Sequence, residues 1–334
     1  MKKFILCLVL CGLILSLKAQ DPHYSQLYAT PVLLNPAMTG LTNCNGRIAL
    51  QYRNQWGSVA VPFETVTASY EQAFLQDSES GSFFGAGLVL LNDQSGTVNL
   101  RNTQAQLSVA YHQILGESSF LSGGVQVGGG QNNVNGPFTY DNQFNGRFFD
   151  LTTPSGEALL NQTIYYFDLS AGLSYMYNGN DGTSVNIGIS GFHLNTPDIS
   201  FVEGGDQDMN EKLIIHSNLE FPVSDAFSLI VRGVYINQGR FSQVNAGLLL
   251  KYDLGGNYRY TSTYDSFITI GAVARFGDAI VPVVKWQRNQ LGVGFSYDVN
   301  VSELVTASNS NGGFELAVSY NVGNCTERFY CPTF

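Results

Sequence analysis

Residues 291–300 read LGVGFSYDVN and residues 314–322 read FELAVSYNV, two stretches that alternate without a break. In the first, Leu291, Val293, Phe295, Tyr297 and Val299 share one parity, and Gly292, Gly294, Ser296, Asp298 and Asn300 share the other. In the second, Phe314, Leu316, Val318, Tyr320 and Val322 oppose Glu315, Ala317, Ser319 and Asn321. Successive side chains of a strand point to opposite faces, so each stretch reads as a β-strand with one apolar face and one small or polar face. The same split recurs where Ile48, Leu50 and Tyr52 oppose Arg47, Ala49, Gln51 and Arg53. It recurs again where Phe167, Leu169, Leu173 and Tyr175 oppose Asp168, Ser170, Gly172 and Ser174. Beyond the N-terminus, no stretch keeps apolar residues at i, i+3, i+4 and i+7 over three turns, as an amphipathic helix would.

Alternation and turn residues together give about fourteen strands. They start near residues 46, 62, 82, 98, 119, 163, 184, 211, 226, 241, 266, 279, 291 and 312, and most run to about 10–12 residues. That exceeds the five or six or so usual in globular proteins and suits a tilted strand crossing a bilayer.

A soluble sandwich also alternates, and three features favour a membrane barrel instead. The polar face carries Gly, Ser, Asn and Gln with few Lys or Glu, which suits a shielded lumen. Tyrosines recur near strand ends, among them Tyr52, Tyr111, Tyr177, Tyr235, Tyr252, Tyr297 and Tyr320, as in the aromatic girdles of outer-membrane barrels. The long connections 131–161, 194–210 and 302–311 all follow odd-numbered strands, whereas even-numbered turns are mostly short, 254–265 excepted. The fold expected is all-β: a transmembrane antiparallel up-and-down β-barrel over residues 46–322, with both ends on the periplasmic side. Closure then pairs the first strand with the last. Arg53, Asp298 and Glu315 should face inward together as a charge cluster near the outer mouth, whose plainest role is to neutralise buried charge.

Composition agrees with this reading. Only 13 % of the 334 residues are charged and 36 are Gly, against roughly a quarter and about 7 % in ordinary soluble proteins. A hydrophobic content of 44 % excludes disorder, which needs low hydrophobicity and high charge. A helical membrane protein would need apolar runs of about 20 residues. The net charge of -10 and a pI near 4.7 argue against a nucleic-acid partner, because phosphate contacts need a basic face.

Lys2 and Lys3 precede an apolar run over 4–17, and Leu17-Lys18-Ala19 follows it. This is the order of a secretory signal peptide, residues 1–19, cleaved after Ala19 to send the chain to the cell outer membrane. Loss of Lys2, Lys3 and Lys18 lowers the formal charge from -10 to -13. Residues 20–45 hold Pro31 and Pro36, which discourage a strand, yet Tyr24, Leu27, Tyr28, Val32, Leu33 and Leu34 call for burial. A lumen of this width needs filling, so 20–45 is expected to be a plug-like segment packing at the periplasmic mouth. Residues 323–334 are expected to form a periplasmic tail. Cys44, Cys325 and Cys331 remain in the exported chain, an odd number that allows at most one internal disulfide. Cys325 and Cys331 are close enough in sequence to pair, the alternative being unpaired thiols in a terminal tail.

Signals for chemistry are sparse. His23, His112, His193 and His216 are scattered, without zinc-ligand spacing. Gly128-Gly129-Gly130 does not open a helix as a phosphate loop would. Asp206, Asp208 and Asn210 resemble half a calcium loop, but Glu211 stands where Gly is required and Ser217 at its twelfth position. No catalytic, metal or cofactor site is expected.

Several motifs resemble the PorP/SprF family: Gln20-Asp21-Pro22-His23-Tyr24-Ser25-Gln26, Asn35-Pro36-Ala37, and Tyr52-Arg53-Asn54-Gln55-Trp56. Gly277-Asp278-Ala279-Ile280-Val281-Pro282, Ser296-Tyr297-Asp298-Val299-Asn300, Gly312-Gly313-Phe314-Glu315 and the terminal Cys331-Pro332-Thr333-Phe334 extend the resemblance to the end of the chain. The resemblance implies a non-enzymatic outer-membrane protein of the type IX secretion system of the Bacteroidota. Such proteins assist secretion or surface attachment of adhesin-like cargo bearing a C-terminal sorting domain, and some are linked to gliding motility. The implied partners are cargo at loops 131–161 and 194–210, other type IX secretion components at the N-terminal segment and tail, and outer-membrane lipid. A channel for small or lipidic molecules is the alternative reading of the strand count and polar lumen.

Overall fold

The computed structural model describes residues 21–323 and 325, apart from 43, 58–60, 76–80, 97–98, 117, 135–140, 151, 155–162, 203–204, 206, 255–265 and 304. The alternating stretches form β1 (Gly46–Gln55), β2 (Phe63–Phe74), β3 (Phe83–Ser95), β4 (Leu100–Gly116) and β5 (Ser119–Val134). They continue as β6 (Thr163–Asn178), β7 (Ser184–Phe192), β8 (Lys212–Pro222), β9 (Phe227–Gln238) and β10 (Phe241–Asp253). The last four are β11 (Ser266–Arg275), β12 (Ala279–Arg288), β13 (Leu291–Asn300) and β14 (Asn311–Val322). Every start lies within two residues of its expected position. Each strand pairs antiparallel with its sequence neighbours, and β14 returns to β1 to close the barrel. Closure removes every sheet edge, so no backbone donor or acceptor row is left facing lipid.

β10 shows how the period of two divides the wall. Gln243, Asn245, Leu249 and Lys251 are buried toward the lumen, whereas Val244, Leu248, Leu250 and Tyr252 point outward and are exposed. The same outward belt of Leu, Val, Phe and Tyr runs round the barrel. In water it would be a large aggregation surface; against lipid tails it is solvated.

β4, β5 and β6 run to 17, 16 and 16 residues, longer than expected. The outward residues at the far ends of β3–β5 are polar: Asn92 and Gln94, Arg101 and Thr103, Gln131 and Asn133. Asn92 Nδ2 donates to Thr103 Oγ1 at 2.7 Å, and Arg101 Nη2 donates to Gln94 Oε1 at 3.1 Å. This stretch of wall therefore rises above the apolar belt, on the side of the long connections. Pro282 sits mid-strand in β12 facing outward. The β12–β13 ladder lacks pairs at 281 and 282 and then resumes in unchanged register, so the missing Pro N–H interrupts the ladder without a bulge.

Inside the barrel, Leu27–Ala29, Pro31–Leu34 and Pro36–Met38 form single helical turns. Pro31 and Pro36 occupy first-turn positions, where a missing N–H costs nothing. The Asn35 side chain caps the third turn by accepting from the Ala37 N–H at 2.9 Å. Leu34, Ala37, Met38 and Leu41 are fully buried.

Two expectations are corrected. The N-terminal segment is not confined to the periplasmic mouth: it runs through the lumen, with Asp21 bonded to Lys212 and Gln238 at the outer ends of β8 and β9. β1 begins at the periplasmic end, so the chain ahead of it descends the whole lumen before entering the wall at Gly46. A fourteen-stranded barrel is too wide for its own side chains to fill, and this segment supplies the missing core. Cys325, for which a bond to Cys331 or an unpaired thiol stood open, bonds Cys44 instead. The closing register opposes Gly46 to Val322, which carries the flanking cysteines of the two strands together. Residues 1–19, Cys331 and all of 323–334 other than Gly323 and Cys325 lie outside the described residues.

Candidate functional site

The structure brings Arg53, Asp298 and Glu315 together with two residues that the sequence did not single out, Arg275 and Ser25. Arg53 on β1 forms an ion pair with Glu315 on β14 through Nη1, and its Nη2 lies 2.8 Å from Asp298 Oδ2 on β13. Arg275, the last residue of β11, reaches the same Asp298 oxygen at 2.8 Å. The Ser25 hydroxyl occupies the centre. It donates to Asp298 Oδ1 at 2.8 Å and accepts from Arg53 Nη1 at 2.9 Å and Arg275 Nη1 at 2.8 Å. Backbone N–H groups of Ser25 and Gln26 donate to the two Glu315 oxygens, the second at 2.8 Å. Two guanidinium groups thus meet the buried carboxylates of Asp298 and Glu315, with the half-exposed Asp278 paired to Arg275 at the rim, and the plug supplies the remaining hydrogen bonds that a buried ionic cluster requires. Arg275 carries the inward parity of Phe267 and Thr269, so its place was readable from alternation. Ser25 gave no such signal, because the plug has no period.

A second anchor holds the top of the plug. His193, just beyond β7, lies 2.7 Å from Asp21 Oδ2 through Nε2 and 2.9 Å from Asp168 Oδ1 through Nδ1. Lys212 Nζ lies 3.1 Å from the same Asp21 oxygen. Burial opposes charge on His193, but the Asp21 and Asp168 carboxylates outweigh it and raise its pKa to about 9. Burial likewise opposes charge on Asp21, yet Lys212 and His193 hold its carboxyl well below the usual range. The imidazolium therefore donates from both nitrogens.

Lower down, the plug is bonded to the wall at β2, β4, β6 and β8. Tyr28 Oη donates to the Ser217 carbonyl at 2.6 Å, and Asn35 Nδ2 donates to the Leu173 carbonyl at 2.9 Å. His112 Nε2 lies 2.9 Å from the Thr39 carbonyl oxygen, and the Gly40 N–H donates to Glu71 Oε2 at 2.8 Å. The plug approaches so closely that the wall beside it must be glycine. A Cβ at Gly124 would lie 2.4 Å from the Pro36 carbonyl oxygen, and one at Gly172 2.0 Å from Asn35 Oδ1. Much of the glycine-rich lumen face is thus a seat for the plug.

Among the described residues, no group of three or more His, Cys, Asp or Glu side chains is placed to hold a metal ion. Asp206, of the acidic stretch 206–210, lies outside them.

The family model of the type IX secretion system membrane protein PorP/SprF matches residues 16–320. The chain belongs to the PorP/SprF family. No curated protein matches it. Among solved structures, the toluene transporter TbuX of Ralstonia pickettii is similar at 11 % identity, covering 86 % of this chain and 91 % of that one, with a TM-score of 0.48. The CymD monoaromatic hydrocarbon channel is similar at 11 % identity over 89 % and 94 % of the two chains, with a TM-score of 0.45. BamA of Haemophilus ducreyi lacking POTRA domains 1–3 is similar at 11 % identity over 83 % and 70 %, with a TM-score of 0.42.

The protein is accordingly an outer-membrane barrel of the type IX secretion system, and membership implies association with other components of that system. Several of the motifs that carry the PorP/SprF resemblance fall on the plug and its seat. They contain Asp21, Ser25 and Gln26, the Asn35-Pro36-Ala37 turn, and Arg53, Asp298 and Glu315 of the socket.

Proposed function

We propose that this PorP/SprF member works at its surfaces rather than through its lumen. It is a non-enzymatic docking barrel that helps particular sorting-domain cargo, such as adhesins, to leave or attach at the cell surface. The observation that carries this reading is the plug, which is bonded to the wall from Asp21 at the outer end to Gly40 near the periplasmic end. A folded or extended polypeptide has no free path through such a lumen.

The outer side offers a surface instead. The raised wall of β3–β5 presents polar side chains above the lipid belt, and the long connection beyond β5 exposes Phe144, Phe148 and Phe149. Asn145 Oδ1 accepts from the Arg147 and Phe148 N–H groups, both at 3.1 Å, and so shapes that loop. Exposed aromatic side chains rimmed by polar groups suit protein recognition. Export through a signal peptide cleaved after Ala19 belongs to the same reading, and mass spectrometry of the purified barrel should find Gln20 as its first residue. The test is deletion of the gene followed by proteomics of the cell surface. One or a few large sorting-domain proteins should be lost while the others persist. Normal display of every sorting-domain protein would defeat the docking role.

A further inference from the structure

The cations of the socket are all in ion pairs, and two of those below it are not. Arg232 on β9, Lys251 on β10 and Lys285 on β12 face the lumen, and Glu220 on β8 is the carboxylate beside them. Glu220 is taken by Lys251 at 3.0 Å. The Lys285 ammonium stands 5.7 Å from the centre of the Phe267 ring. The Arg232 guanidinium donates to Asn218 Oδ1 at 2.8 Å and lies 4.7 Å over the Tyr28 ring. Among the described residues, no carboxylate pairs with either Arg232 or Lys285. In a protein of net charge -10, two lumenal basic side chains outside any ion pair stand out.

Both open onto one cavity between plug residues 25–29 and the β9–β14 wall. Leu27, Leu249, Val273 and Val283 give it apolar sides. Asn245 also lines it; this side chain is 6 % exposed, and its Oδ1 has no hydrogen-bond partner. The cavity extends to Gly292 and Ser319, a cross-strand pair beside the β12–β13 turn, and so approaches the periplasmic end.

We propose that this cavity binds an amphiphilic monoanion, a carboxylate or phosphate head on an apolar body, that enters from the periplasmic side. Cations in a low-dielectric wall are costly unless an anion joins them. Arg232 offers a planar fork and Lys285 a point charge to the same head group. The apolar sides contributed by Leu27, Leu249, Val273 and Val283 take a slender alkyl or aromatic body. The Asn245 amide and the hydroxyls of Thr269 and Ser319 supply orientation. A neutral amphiphile would leave the cations unpaired, and a bare inorganic anion would leave the apolar walls empty.

The mature barrel in nanodiscs, titrated calorimetrically against empty nanodiscs, tests this with octanoate, octyl phosphate, octanol and inorganic phosphate. Octanoate or octyl phosphate should saturate one site per barrel, at least tenfold more tightly than octanol or inorganic phosphate. The tighter of the two heads distinguishes a carboxylate ligand from a phosphate one. Lys285→Met should weaken binding at least tenfold without lowering the thermal transition of the barrel, because it removes a buried amine that no carboxylate pairs. Lys285→Arg should retain binding. The absence of saturable binding, equal binding of octanol, equal binding of inorganic phosphate, or binding indifferent to Lys285→Met would each overturn the proposal.

Discussion

Arg53 and Glu315 stand directly opposite one another across the seam where β14 closes on β1, and the ion pair between them is also where the plug docks. Barrel closure and lumen filling are thus coupled through one carboxylate. Glu315 accepts from Arg53 on the wall and from the Ser25 and Gln26 N–H groups on the plug.

Breaking a buried pair by deleting one partner leaves an uncompensated charge, at a cost of about 3–5 kcal/mol. Arg53→Ala should therefore destabilise the barrel by about that much, read as a lower denaturant midpoint. A double-mutant cycle with Glu315→Gln should show strong coupling, since either change alone already empties the interaction. Ser25→Ala removes three hydrogen bonds at once and should free the plug for proteolysis while the barrel persists.

Gly172→Ala should displace the plug turn, because its Cβ would meet Asn35 Oδ1 at 2.0 Å. The cost should be about 1–3 kcal/mol, as for other overpacked cores. Asn35→Ala removes the clashing atom, so the double variant should be less destabilised than the sum of the two single ones. Thermal midpoints of the four proteins check this.

The His193 anchor predicts a pH dependence. Its pKa in the folded barrel, about 9, lies above the ordinary 6.5. Its contribution to stability is therefore fully present below about pH 6.5 and is lost as pH rises through about 9. The facing groups are Asp21, Asp168 and Lys212. The melting temperature of the wild type should fall across that window more steeply than that of His193→Asn.

The Cys44–Cys325 bond joins the residues that flank the first and last strands. Loss of a native disulfide typically costs about 2–5 kcal/mol. Cys44→Ser and Cys325→Ser should lower the melting temperature alike, whereas Cys331→Ser should leave it unchanged. Peptide mapping without reductant should recover the 44–325 pair.

The wall was legible in the sequence because lipid imposes a strict period of two. Leu291–Asn300 and Phe314–Val322 carry it without a break, and even closure then placed Arg53, Asp298 and Glu315 on one face. The plug was legible only as a need for burial. Pro31, Pro36 and the scattered Tyr24, Tyr28 and Leu34 carry no period, so neither its depth nor the role of Ser25 could be read. The disulfide was misread by weighing sequence distance. Once Gly46 opposes Val322, the closing register itself brings Cys44 and Cys325 together. The lower cavity was hidden for a different reason: Arg232, Lys285 and Asn245 lie on separate strands with unremarkable neighbours, and only the closed barrel shows that the two basic residues face one cavity without an ion pair.

The central claim, that the barrel is filled by its own N-terminal segment and acts at its surfaces, meets its most direct test in planar bilayers. The purified wild type should carry no steady open-barrel current, and a chain lacking residues 21–41 should conduct. A wild type that conducts as steadily and as strongly as the deletion would contradict the account.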